Sequence, residues 1–276
     1  MSYNYKTLHF PDGSVEHRIF QSSVLNEQSL FDTDKKERVK WVKKTDDNGN
    51  VYYEDSEHPQ MIRDKGSISH SINVSRNRSK NMIIEYARSN HWEWFITFTF
   101  NPELVDSFDY DQCYKKLYYW LNNIQKRKVP DIKYLGVPEQ HKSGRWHFHV
   151  LIGGAQGNDI TSALELVSSP IRGVYNLNAW KYGFSTATAV KDTRRVSSYI
   201  TKYITKELTE RTQGKHRYIK SRNLERALEC TYSVEPEELE KLKLELIAQG
   251  CYFKEIKSPY LGNVYYIQEE KVENRV

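Results

Sequence analysis

Trp146-His147-Phe148-His149-Val150-Leu151-Ile152 sets the fold, because Trp146, Phe148, Val150 and Ile152 recur at every second position. Side chains alternate faces along a strand, so this stretch predicts a strand with one continuous apolar face. His147 and His149 then point together to the other side. Two imidazoles held side by side off a core form a ready pair of metal ligands. The same spacing also suits two polar residues on a half-exposed strand, so the neighbouring sequence has to decide.

The preceding segment, Ile132 to Gln140, predicts the partner strand of a hairpin. With Lys142-Ser143-Gly144 as a three-residue loop, Gly144 supplies the left-handed position such loops prefer. His141 then faces Arg145, Glu139 faces His147 and Val137 faces His149. Directly opposed residues share a face, so Glu139 lands beside both histidines. A two-residue loop would turn Glu139 to the apolar face, where a carboxylate is costly. Glu139, His147 and His149 are therefore the candidate metal ligands. Two imidazoles and a carboxylate suit Mn²⁺ or Mg²⁺ in function, and also accept zinc or nickel. His70, His91, His141 and His216 lack this spacing and are expected to be histidines with local partners.

About fifty residues on comes Tyr199-Ile200-Thr201-Lys202-Tyr203-Ile204-Thr205-Lys206. On one continuous helix from Asp192, its cap, to about Leu208, Tyr199, Lys202, Tyr203 and Lys206 line one face. Ile200, Ile204 and Leu208 form a second stripe that can hold the helix on the sheet. A phenol is a poor nucleophile at its ordinary pKa of about 10, and a neighbouring ammonium favours the phenolate. Taken alone, the repeat also fits a solvated Tyr/Lys face. It lies within a basic stretch: Lys191 to Arg222 holds ten Lys/Arg against three acidic residues, although the net charge of the whole chain is only +5. Lys191, Arg194, Arg195, Lys215 and Arg217 are the candidate phosphate contacts there. Thr97 and Thr99 share a face of the strand Trp94 to Phe100 and are further candidates, although β-propensity also explains threonine there.

The rest of the chain supplies the frame. Short hairpins are expected over residues 1–65, with turns at Pro11-Asp12-Gly13-Ser14 and Asp46-Asp47-Asn48-Gly49-Asn50. Residues 64–78 suggest a polar, basic linker, followed by a helix over 76–89 with Met82, Ile83, Tyr86 and Ala87 on its buried side. An amphipathic helix spans 109–126 and a shorter one 159–167, with a strand over 182–190. A helix over 236–248 precedes two strands near Tyr252 and Tyr265. The β-α-β-β-α-β-α order of the middle predicts an α+β fold with helices packed on an antiparallel sheet. Cys113, Cys230 and Cys251 are an odd, scattered set that argues against a disulfide scaffold or thiolate zinc. With no apolar signal core at Met1 and no membrane-length apolar run, a soluble cytoplasmic protein is expected, with no membrane partner.

Together these residues resemble the HUH endonucleases, and among them the two-tyrosine rolling-circle replication initiators of small single-stranded DNA phages and bacterial plasmids. The family's first motif is a strand like Phe95-Ile96-Thr97-Phe98-Thr99-Phe100, and its second is matched by His147-Phe148-His149. Its third, a helix with Tyr-x-x-Lys, is matched at Tyr199/Lys202 and again at Tyr203/Lys206. A glutamate shortly before the histidine pair is a metal ligand in many members, and Glu139 holds that place. The resemblance covers about residues 66–215, which divides the chain into an N-terminal hairpin segment (1–65), an endonuclease core (66–215) and a C-terminal extension (216–276). It implies a central five-stranded antiparallel sheet with helices. It also implies metal-dependent nicking and strand transfer of single-stranded or supercoiled origin DNA through a 5′-phosphotyrosyl link. Tyr199 and Tyr203 would alternate in either order, assisted by Lys202 and Lys206. No Gly-x-x-x-x-Gly-Lys-Ser/Thr phosphate loop occurs, so the expected partners are a host helicase and DNA polymerase in a bacterial cell. A mobilisation relaxase or single-strand transposase of the same superfamily is the nearest alternative. A non-catalytic single-strand binder is the alternative from another class.

Overall fold

A computed structural model of the chain describes residues 2–25, 41–45, 51–55, 62–63, 65–154, 160–212, 214–258 and 261–270. β1 (Ser2–His9) and β2 (Val15–Leu25) form a hairpin, with Gly13 left-handed in its turn and Asp12 accepting from the Ser14 backbone N–H. Three short strands follow in spatial order: β3 (Trp41–Thr45), β4 (Val51–Asp55) and β5 (Ile62–Arg63). The turn expected at Asp46 to Asn50 lies outside the described residues. Then come α1 (Lys65–Arg88), β6 (Trp94–Phe98), α2 (Tyr110–Arg127), β7 (Lys133–Gln140) and β8 (Trp146–Gly153). Next are α3 (Ile160–Leu164), β9 (Leu166–Ser168), β10 (Val174–Leu177), β11 (Ser185–Ala189), α4 (Thr193–Ile200) and α5 (Lys206–Arg211). The chain closes with β12 (Ile219–Lys220), β13 (Leu228–Tyr232), α6 (Pro236–Ala248), β14 (Tyr252–Ser258) and β15 (Gly262–Glu269). No helix among the described residues is long and apolar enough to cross a membrane.

The chain divides into two units. Met1–Val42, Asp55–Gln60 and Arg226–Val276 make the first, and Lys43–Glu54 with Met61–Glu225 the second. In the first unit, strands from both ends of the chain join one antiparallel sheet, β13-β1-β2-β15-β14. The terminal segments that the sequence separates are thus one structure. Leu239 and Leu246 of α6 cluster with Tyr5, Ile19 and Ile267. Within this unit the Tyr5 hydroxyl pairs with His17 Nδ1 at 2.6 Å, and His17 Nε2 lies 3.2 Å from Glu269.

The second unit is α+β around an antiparallel sheet ordered β12-β7-β8-β6-β11-β10-β9. The expected five-stranded sheet is therefore corrected to seven strands. β9, β10 and β12 have three, four and two residues, too few to show a period of two. Likewise α3 stops at Leu164, Glu165 turns with a φ of 54°, and the rest of that expected helix becomes β9; Asp159 lies outside the described residues. The expected linker over 65–78 is instead the first half of α1, whose Ile83, Tyr86 and Ala87 are buried.

Packing follows the alternation of β8. Trp146, Phe148, Val150 and Ile152 are buried on one face. α2 covers it, with Tyr110 4.9 Å from Trp146 and Trp120 5.3 Å from Phe98 between ring centroids. Asp109 caps α2 by accepting from Asp111 and Gln112 N–H, and Cys113, Leu117, Leu121 and Ile124 repeat along its buried side. Each fully buried large side chain contributes about 1.5–3 kcal/mol. The other face is covered too. A 3₁₀ turn at Thr201–Tyr203 and α1 approach β7 there, and Val137 and Leu151 are buried. That second cover places the face bearing His147 and His149 under helices.

Candidate active site

The hairpin between β7 and β8 sets the site's register. Gly144 is left-handed (φ 87°), the His141 N–H donates to Arg145 O at 2.8 Å, Glu139 is opposite His147, and Val137 is opposite His149. Glu139 Oε2 lies 2.7 Å from His149 Nε2. From the other side β6 sets Thr97 opposite His149, and Thr97 Oγ1 lies 3.1 Å from Nδ1. An ionised carboxylate can only accept, so Nε2 carries the proton and Nδ1 accepts from the threonine hydroxyl. His149 is only 7% exposed, and burial lowers its pKa despite Glu139. His147 is lowered by burial and then by His141, whose ring centroid is 5.6 Å away. Both imidazoles are thereby held in the neutral form that ligates metals.

The tyrosine segment departs from the single helix expected over 192–208. Asp192 caps α4 as expected, but α4 ends at Ile200, the 3₁₀ turn follows, and Ile204 leaves helical geometry with ψ of 76°. α5 then starts afresh, capped by the Thr205 side chain accepting from Leu208 N–H. The threonines explain the break: Thr201 donates to Ser198 O at 2.8 Å and Thr205 serves as a cap, both local bonds that compete with helix continuation. Lys206 therefore opens a new helix rather than completing a four-residue face, and its side chain lies outside the described residues.

Tyr199, Lys202 and Tyr203 stay together. The Tyr203 hydroxyl donates to the Tyr199 hydroxyl at 3.0 Å, and Lys202 Nζ lies 3.5 Å from the Tyr199 ring centroid and 5.0 Å from that of Tyr203. Tyr203 stacks on His149 with centroids 3.8 Å apart. Tyr199 is 44% exposed, and hydrogen bonds from Lys202 and then Tyr203 lower its pKa. Tyr203 is shifted up, first by burial and then by its bond to Tyr199. The two phenols are therefore not equivalent: one is poised to ionise and the other holds its proton.

Among the described residues no three His, Cys, Asp or Glu side chains converge on one point. Glu139 and His149 touch, whereas His147 neighbours His141. The donor chemistry still fits a divalent cation, because the Glu139–His149 contact holds a proton that such an ion displaces on binding. The candidate DNA contacts separate into groups. Thr97, Lys191, Arg195, Tyr199 and Lys202 line one groove of about 830 Å³. Thr99 is absorbed by backbone, donating to Phe184 O and accepting from Phe184 N. Arg194 is exposed on α4. Lys215 pairs with Asp111 and Arg217 binds Ser75 and Ser79, and both line a different cleft with Tyr114 and His216. The basic stretch is thus not one surface.

Two residues at the site carried no sequence signal of their own. Phe95 stacks on His149 at 5.8 Å and meets the Tyr199 ring edge-on at 5.5 Å. His141, expected to be a bystander, sits beside His147 because the tight loop folds it back. Strand pairing and loop closure made both neighbours.

No curated protein and no solved structure matches the chain. Residues 93–208, the stretch that carries Glu139, His147, His149, Tyr199 and Tyr203, match a family model described as replication-associated protein ORF2, a similarity that supports a replication initiator.

Proposed function

We propose that the protein starts rolling-circle replication by cutting single-stranded origin DNA with a tyrosine, keeping the 5′ end covalently and later rejoining it. The observation that carries this is the stacking of Tyr203 on His149 while His149 is hydrogen-bonded to Glu139. It puts a phenol pair against a carboxylate–imidazole pair, which neither a scaffold nor a plain single-strand binder calls for.

In the cutting step a tyrosine Oη attacks the scissile phosphorus. The P–Oη bond forms, the P–O3′ bond breaks, and O3′ leaves with the electron pair and takes a proton as the 3′-hydroxyl primer. One phosphodiester is exchanged for another, so the bond energy is retained for rejoining. Lys202 favours the attacking phenolate and neutralises charge gathering on the phosphate. Thr97 fixes the orientation of His149. Glu139, His147 and His149 would hold a divalent cation, Mn²⁺ or Mg²⁺, which when bound supplies a Lewis acid to a phosphate oxygen. A helicase to open the origin and a polymerase to extend the 3′ end are the partners this activity calls for.

The test tiles single-stranded oligonucleotides across the DNA that surrounds the gene. Each is incubated with the protein and Mn²⁺ or Mg²⁺, then run on a denaturing gel. One oligonucleotide is expected to yield a covalent, slow-migrating adduct, lost in EDTA and in the variant carrying both Tyr199→Phe and Tyr203→Phe. An adduct that survives in that folded double variant overturns the assignment. So does the absence of any adduct across the tiling.

A further inference from the structure

We propose that the two tyrosines serve two separate strand-holding grooves, Tyr199 making the opening cut in one and Tyr203 receiving the second strand end in the other. This rests on the nuclease reading above and adds an order and a division of labour to it.

The tyrosine ridge has a cavity on either side, of nearly equal size. Tyr199 lines the first, about 830 Å³, with Thr186, Thr188, Lys191 and Arg195. Tyr203 lines the second, about 820 Å³, with Glu139, His141, Lys142 and Arg211. Neither tyrosine lines the other's cavity, whereas Lys202 lines both. Each volume falls within the range of about 300–1,000 Å³ that accommodates a small ligand, enough for a nucleotide. Each wall also offers cations for phosphate and polar side chains for sugar and base.

The order follows from how the two hydroxyls are engaged. Tyr199 is exposed and accepts from Tyr203. Tyr203 is stacked on His149 and its hydroxyl is occupied in donating to Tyr199. Once Tyr199 Oη is esterified it accepts hydrogen bonds poorly, and the Tyr203 hydroxyl is released for the second strand. In the exchange, Tyr203 Oη attacks the second scissile phosphorus and that P–O3′ bond breaks. The freed O3′ attacks the phosphorus on Tyr199, sealing the strand as the P–Oη bond breaks. Tyr199 Oη leaves with the electron pair and ends with the proton that Tyr203 gave up. Two bonds form and two break. Lys202 stands beside the phosphate in both halves.

The chain offers a direct assay, because trypsin cleaves after Lys202 and so separates Tyr199 from Tyr203. The full-length wild-type protein is given a single-turnover amount of cleavable oligonucleotide, its DNA is trimmed with nuclease, and the modified tryptic peptide is identified by mass spectrometry. The adduct is expected on Tyr199 with at least about tenfold preference, and on Tyr203 after a second cleavable strand is added. Lys142→Ala, in an exposed loop, is expected to lower strand transfer about tenfold more than it lowers the opening cut, from loss of a charged contact. Arg195→Ala is expected to lower both in proportion. Equal modification of the two tyrosines in the first turnover overturns the proposal, as does a Lys142→Ala loss that falls equally on cut and transfer. The peptide mapping needs no variant, so a folding defect cannot mimic either result. If neither tyrosine is modified, the nuclease reading fails as well. If adducts form without this partition, only the two-groove division fails.

Discussion

His149 has four partners, drawn from three different elements. Glu139 reaches it from β7, Thr97 and Phe95 from β6, and Tyr203 from the 3₁₀ turn. The Glu139 partnership is legible in the sequence, because register follows from one loop glycine and a period of two. Thr97 was legible only as a polar residue on a strand face. Its bond to Nδ1 depends on β6 pairing with β8 across fifty-two residues. Thr97→Val keeps the shape and removes the hydroxyl. The expected cost is about 0.5–1.5 kcal/mol of stability, read from urea unfolding, and about 10–100-fold in adduct formation, read on the denaturing gel. Unchanged cutting in that variant would show that His149 needs no orienting partner.

At the scale of elements, β8 and the tyrosine segment contrast. β8 is buried at nearly every position, because α2 covers one face while α1 and the 3₁₀ turn lie over the other side of the sheet. Phe148 is fully buried among Tyr110, Tyr114 and Phe100, so Phe148→Ala is expected to destabilise the second unit by about 3–5 kcal/mol. Denaturant unfolding followed by tryptophan fluorescence measures it, and a loss below about 1 kcal/mol would mean the face is not packed as described. The tyrosine segment shows the opposite case. Its apolar stripe, Ile200, Ile204 and Leu208, predicts a continuous helix, and all three residues are indeed buried. The helix is nonetheless broken between the first and the last of them. Threonine hydroxyls bond locally, and the break sets Tyr203 against His149 while Lys206 starts a new helix. A stripe records which side chains are buried and does not record whether the backbone between them stays helical.

Across the whole molecule, three histidines share one electrostatic fate. His17 in the first unit and His147 and His149 in the second are all shifted below 6.5, with burial the leading cause in each. As pH falls through about 6.5 the unfolded chain takes up these protons before the folded one does, so stability is full above that pH and declines below it. Thermal melts in EDTA are expected to show a lower Tm at about pH 5.5 than at about pH 7.5, with His17→Gln reducing the difference. A Tm that rises on acidification would contradict the burial of these rings. The sequence by itself determined the α+β class, the β7–β8 hairpin with its register, and the residue types of the site, because these depend on local periods and one loop conformation. Only the tertiary structure decided that the sheet has seven strands, that both ends of the chain share a second sheet, and that the two phenols differ. Those outcomes rest on pairings between residues far apart in sequence, and no local pattern encodes which strand or ring becomes the neighbour.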